Sequence, residues 1–196
     1  FDVMHDGQKM GRMALSVTGE HNVLNALSAI AAADILGIPF VSMQKGLKEF
    51  RGTDRRFEYK GAKNGFTIID DYAHHPTEIR ATLTAAENYP HKEVWCIFQP
   101  HTYTRTKALF DEFVDALSTT DHVILADIYA ARETDTLGVS AEQIAEALKK
   151  KGCDAYYLPS FEKIEEFVLE RCQKGDVLIT MGAGDVVNIG EKLLQD

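Results

Sequence analysis

From residue 56 onward the chain alternates short apolar runs with amphipathic stretches of helical period, a rhythm that few folds accommodate. The runs Arg56–Lys60, Phe66–Asp70, Glu93–Phe98, His122–Ile128, Ala155–Leu158 and Asp176–Met181 read as strands. Helical patterns fall between them, near Pro76–Asn88, over 103–118, from Ser140, over 161–173 and from about 185. Pro76 suits a first helical turn, and Ser140 with Gln143 has the spacing of a capping box. Leu109, Phe110, Phe113, Val114 and Leu117 put one apolar stripe along the 103–118 helix. Strands separated by helices of this length pair in parallel through right-handed crossovers. The expectation is an α/β fold: a Rossmann-like, doubly wound, mainly parallel sheet.

The first fifty residues do not share that rhythm. Phe1–His5 and Met10–Val17 read as a hairpin around the turn dipeptide Asp6-Gly7. A helix is predicted over 21–36, where Val23, Leu24, Leu27, Ile30, Ala31 and Ile35 recur at helical spacing, with Gly37 just past its end. A short helix over 41–49 follows Pro39. This segment has too few strands to close a sheet of its own. The boundary is placed at 45–52, giving residues 1–48 as the end of one domain and 49–196 as a self-sufficient second one. The opening residue, Phe1 rather than Met, points to a piece of something longer.

Net charge is −9, with 30 acidic against 21 basic residues, which argues against nucleic acid as the main partner. No apolar stretch approaches the ~20 residues that span a bilayer, and no secretory pattern opens the chain, so neither a membrane nor export is expected. Cys96, Cys153 and Cys172 are odd in number and widely spaced, and read as buried thiols in a reducing compartment. The expected location is cytoplasmic.

Four runs could carry chemistry. Asp70-Asp71-Tyr72-Ala73-His74-His75-Pro76 lies where a strand gives way to a helix, the edge at which open α/β sheets bind ligands. Two carboxylates, a phenol and two imidazoles there either cap the helix and satisfy backbone groups or converge on a ligand. A metal pair of His74 and His75 is unattractive, since adjacent residues diverge and no third ligand follows at zinc spacing. Gln99-Pro100-His101-Thr102-Tyr103-Thr104-Arg105 occupies a second such junction. Arg105 in a first helical turn suits a carboxylate or phosphate. Gly182-Ala183-Gly184-Asp185 reads as a tight turn and is no complete phosphate loop. Asn22 and Asn25, three apart on one helix face, offer amides able to read an adenine edge, or simply cap the helix. Arg55 and Arg56 lie close to the domain boundary, within reach of phosphates or of solvent.

Taken in order, Gly19-Glu20-His21-Asn22-Val23-Leu24-Asn25, Arg55-Arg56-Phe57-Glu58, the DDYAHHP run and the GAGD run resemble the Mur ligase family of peptidoglycan synthesis, over essentially the whole chain. The resemblance implies that the opening hairpin and helix end a central ATPase domain and that the remainder is the C-terminal Rossmann-like domain. It implies ADP-forming amide synthesis, and DDYAHHPTEI with FQPHTYTRT points within the family to ATP, UDP-N-acetylmuramate and L-alanine as substrates. By the same resemblance His21, Asn22 and Asn25 approach adenine, and Arg56 and Asp71 contact nucleotide. Tyr72, His74 and Arg105 line the amino-acid and acyl-phosphate side, with His74 and Arg105 catalytic. Some members carry Arg where this chain has Thr102, so no contact is carried over to that position. No G-x-x-G-K-[ST] run occurs, so the ligands for Mg²⁺ are expected elsewhere and the chain alone is expected to be inactive. The alternatives are a relative that recycles a murein tripeptide and a nonenzymatic Rossmann-like ligand-binding module.

Overall fold

The computed structural model describes residues 1–17 and 19–195, the side chain of His21 excepted. The chain divides into two compact units, Phe1–Thr53 and Asp54–Asp196, just past the boundary expected.

In the first unit β1 (Asp2–His5) pairs antiparallel with β2 (Gln8–Arg12), followed by α1 (Glu20–Ile35) and α2 (Phe40–Glu49). Asp6 and Gly7 both take positive φ, the geometry of a hairpin turn matched to strand twist. The second strand therefore starts earlier than predicted and stops at Arg12. Val3, Met13, Ile30 and Met43 form a small core. The predicted apolar stripe of α1 divides. Ile30 is buried, whereas Leu24 and Ile35 are 61 % and 86 % exposed, because one hairpin and one short helix cover only one side of α1.

The second unit runs β3 (Glu58–Lys63), β4 (Phe66–Asp71), α3 (Pro76–Glu87), β5 (Val94–Phe98), α4 (Tyr103–Ala108), α5 (Phe110–Leu117), β6 (His122–Leu125), α6 (Ala141–Lys150), β7 (Asp154–Tyr157), α7 (Phe161–Arg171), β8 (Val177–Met181) and α8 (Val187–Gln195). Its six strands lie in the order β3-β4-β8-β5-β6-β7, and only β3 with β4 is antiparallel. Side-chain alternation gives each face its own core. Cys96, Phe98, Ile179 and Met181 meet Ile79 and Leu83 of α3, Phe113 and Leu117 of α5, and Ile144 and Leu148 of α6. Trp95, Ile97 and Leu178 face Ile164 and Val168 of α7 and Ile189 and Leu193 of α8. Every residue of β5 and β8 is buried, which explains their almost wholly apolar character, broken only by Thr180 in β8.

The predicted 103–118 helix is two helices. Leu109, at φ −118° and ψ 27°, separates α4 from α5. Thr106 is buried and bonds the Thr102 carbonyl through its hydroxyl, which ties α4 to the preceding loop, while Phe113 and Leu117 tie α5 to the sheet. Leu109 absorbs the difference. The strand predicted to reach Ile128 ends at Leu125, and the final helix starts at Val187. Cys96 and Cys172 are buried and their thiols are pushed up to about 12 by burial, while Cys153 is half-buried. No helix among the described residues is long and apolar enough to cross a membrane.

Candidate functional site

The carboxyl ends of β4, β8, β5 and β6 are neighbours on one sheet edge. The DDYAHHP run divides there into supporting and outward-facing groups. Asp70 is fully buried; its Oδ2 accepts from Arg55 Nε at 2.9 Å and its Oδ1 from the Thr180 hydroxyl at 2.7 Å. Asp71, also buried, accepts from the Ala73 N–H at 2.7 Å through Oδ1 and from the Phe57 N–H at 2.8 Å through Oδ2. Burial pushes both carboxyls above the usual range, opposed by these donors. Neither aspartate caps α3. His75 does, accepting from the Thr77 N–H, while the Glu78 carboxylate returns to the N–H groups of His74 and His75.

Tyr72 and His74 remain. Tyr72 is 36 % exposed, and its ring meets the His74 ring edge-on at 5.5 Å. His74 Nδ1 lies 3.0 Å from the Tyr72 carbonyl, an acceptor only, which assigns a proton to Nδ1, so that in the neutral ring Nε2 carries the lone pair. The second predicted junction comes to the same place, for the His74 and His101 rings are 6.1 Å apart. Arg105 Nη1 lies 3.2 Å from His101 Nδ1. A guanidinium can only donate, so His101 is the Nε2–H tautomer. Burial, then the Arg105 charge and His74 in its protonated form, hold His101 below the usual histidine range. Two imidazoles and a permanent cation thus share one edge, an arrangement able to hold a carboxylate and, with His74 neutral, to accept a proton from an amine.

Two contributors, Tyr129 and Glu133, escaped the sequence reading, and two residues of the candidate runs, Gln99 and Arg55, take roles it did not anticipate. Tyr129 stacks on His101 at 5.6 Å, and Tyr129 backbone groups bond Pro100 and Thr102 across an isolated bridge. Glu133 accepts from the Thr104 N–H and hydroxyl. Gln99 is buried, its Oε1 accepting from the Val186 N–H and its Nε2 donating to Asp185. Arg55, besides its Asp70 contact, donates to the carbonyls of Gly182 at 2.7 Å and Gly184 at 3.2 Å. Each of its three guanidinium nitrogens therefore donates within the domain. Only the polar character of the 127–136 loop and the Arg55-Arg56 pair hinted at these roles. The 182–185 turn needs its glycines: a Cβ on Gly182 would lie 2.7 Å from the Gln99 carbonyl, and one on Gly184 would strike Gln99 Oε1 and approach Tyr129 Cγ to 2.8 Å.

Arg56 is exposed; its charge opposes the burial that raises the Asp71 carboxyl and adds to the His74 and His75 contacts that lower Glu78. On α1 the Asn25 amide donates to Asn22 Oδ1 at 3.5 Å, and both border a groove of about 350 Å³ walled by Leu15, Ala26, Leu47 and Phe50. The side chain of His21 lies outside the described residues. Among the described residues no group of three or more His, Cys, Asp or Glu side chains is placed to hold a metal ion.

Residues 55–184 match the family described as Mur ligase, glutamate ligase domain. The chain is 58 % identical over 195 residues to the UDP-N-acetylmuramate–L-alanine ligase of Agathobacter rectalis, covering 100 % of this chain and 42 % of that protein. The UDP-N-acetylmuramate–alanine ligase of Thermotoga maritima superposes with a TM-score of 0.80 at 30 % identity, over 97 % of this chain and 40 % of that one. A murein peptide ligase from Psychrobacter arcticus gives 0.67 at 27 % identity, over 93 % and 38 %. The chain spans less than half the length of the curated relatives it matches. With more than half of its residues aligned to the glutamate ligase domain, the chain belongs to the Mur ligase family.

Proposed function

We propose that the chain is the amino-acid-receiving portion of an ADP-forming ligase that joins L-alanine to UDP-N-acetylmuramate in peptidoglycan synthesis, acting in the cytoplasm. The observation that carries this reading is the meeting of Tyr72, His74, His101 and Arg105 on one strand edge, drawn from two separate sequence runs. ATP would activate the muramate carboxylate as an acyl phosphate. Arg105, with the His101 Nε2–H beside it, holds the L-alanine carboxylate. His74 Nε2 takes the proton lost as the amine nitrogen attacks the acyl carbon; the C–O bond to phosphate then breaks and the amide forms. Tyr72 forms an apolar wall beside His74. Much of the rate comes from holding the amine in line with the acyl carbon.

For the nucleotide, Asn22 and Asn25 fit an adenine edge: their linked amides border an apolar groove and offer both donors and acceptors. His21 is proposed for the same adenine side, and Arg56, in the second unit, for a separate nucleotide contact. Asp71 is reassigned, because both of its oxygens already hold backbone, so it orders the Tyr72–His74 loop. Mg²⁺ belongs, on this reading, with the activation half of the reaction.

The test is Arg105→Ala in the complete enzyme, with ATP, UDP-N-acetylmuramate and L-alanine supplied. ADP release that depends on L-alanine should fall about 100-fold with little change in melting temperature. Unchanged kinetics would remove Arg105 from the site. A preference for the murein tripeptide over L-alanine would move the chain to the recycling activity. The isolated 196-residue chain should give no sustained ADP release.

A further inference from the structure

Arg55 makes more contacts than an ion pair requires. Nε donates to buried Asp70, Nη2 and Nη1 to the Gly182 and Gly184 carbonyls, and its Cζ sits 4.9 Å from the centroid of the Tyr72 ring. Its own carbonyl accepts from the Tyr72 N–H at 2.7 Å. Arg55 adopts φ 59°, a left-handed conformation unusual for a side-chain-bearing residue. Its N–H is held by Glu58 Oε2 at 2.8 Å. One residue thus fixes both the backbone and one ring face of Tyr72 and anchors both to the glycine turn that ends β8. The other contact of that ring is the edge-on approach of His74.

We infer that Arg55 is a positioning residue for the amino-acid side of the site: it sets the orientation of Tyr72, and through Tyr72 the wall against which the incoming amino acid rests. The inference builds on the proposed ligase reading. A planar guanidinium suits the task because three of its N–H groups reach fixed acceptors while its face stays on the ring. Lysine can keep the charge beside Asp70 but cannot reproduce that fork. A role limited to neutralising Asp70 predicts that Arg55→Lys is kinetically silent.

The experiment is a double-mutant cycle in the complete enzyme with Arg55→Lys and Tyr72→Leu, reading KM for L-alanine, KM for ATP and kcat separately. Arg55→Lys should raise KM for L-alanine about tenfold, leave KM for ATP unchanged and keep kcat within about twofold. In the Tyr72→Leu background the same substitution should change KM for L-alanine less than about twofold, because the ring it positions is gone. An unchanged KM in the single variant, or an equal tenfold rise in both backgrounds, overturns the inference. An enzyme that releases ADP with a different amino acid and ignores L-alanine overturns the substrate reading instead, and the same cycle run on that amino acid still decides the role of Arg55.

Discussion

Gly184→Ala isolates the cost of crowding the turn that underlies the site. The backbone φ of Gly184 is outside the left-handed region, so the penalty is one of space. The new methyl lands on Gln99 Oε1, the tip of a side chain only 4 % exposed and pinned at both ends of its amide. Moving it strips the Val186 N–H of its acceptor, which costs about 1–3 kcal/mol for a buried donor. Losing the bond to Asp185 adds about 1 kcal/mol. The Tyr129 ring is 38 % exposed and swings aside cheaply. Alanine returns about 0.4–1 kcal/mol by restricting the unfolded chain. The net expectation is about 1–3.5 kcal/mol, equivalent to a fall of roughly 3–12 °C in Tm. Urea unfolding followed by fluorescence reads it directly. Trp95 is the single tryptophan, is buried in β5, and so reports the second unit. A loss below about 0.5 kcal/mol refutes the reasoning. So does an equal loss in a Gln99→Ala background, where the obstructing amide is absent and the two costs should not add.

Asp71→Asn should cost about 2–4 kcal/mol in the same assay, because one amide hydrogen pair must face the N–H of either Ala73 or Phe57. His122 supplies a pH signature at the opposite sheet edge. Its Nδ1 lies 2.7 Å from Asp154 and its Nε2 3.0 Å from Glu93, and the ring stacks on Trp95 at 3.9 Å. Both partners are acceptors only, so the ring is an imidazolium; burial lowers its pKa but the two carboxylates outweigh burial and raise it. The stabilisation is therefore complete below the unfolded value of about 6.5 and disappears as pH rises through the higher folded value. The stability difference between wild type and His122→Gln should be about 1 kcal/mol at the acidic end, discounted for the half-exposed carboxylates, and shrink toward alkaline pH. A difference that does not vary with pH would show that the ring is neutral.

The alternation of strands and helices was legible because burial on both faces leaves a parallel strand little choice of residue, as β5 and β8 illustrate. The capping box was legible because it is local: Ser140 and Gln143 exchange the two expected bonds. What depends on distant partners was not. Leu24 and Ile35 carry the period of a core face yet lie exposed, since a helical period cannot say how much of the helix its neighbours cover. In DDYAHHP the sequence cannot separate aspartates that hold partners within the domain from a tyrosine and histidine that face outward. That division is made by Arg55, Thr180 and Phe57, all remote from the run in the chain or across the sheet. Tyr129 reaches His101 through strand pairing, which no motif spacing encodes.

The place of β8 bears on how the site comes into being. This strand is the sixth of its sheet to be synthesised, yet it lies between β4 and β5. Until it inserts, the loop bearing Tyr72 and His74 has no fixed distance from the loop bearing His101 and Arg105. Closing that gap waits on contacts between residues more than a hundred positions apart, such as Thr180 with Asp70, the kind of pairing that slows folding. The approach of the two junctions is thus expected late on the folding path, and a chain stopped before Val177 would hold every residue of both without the strand that joins them.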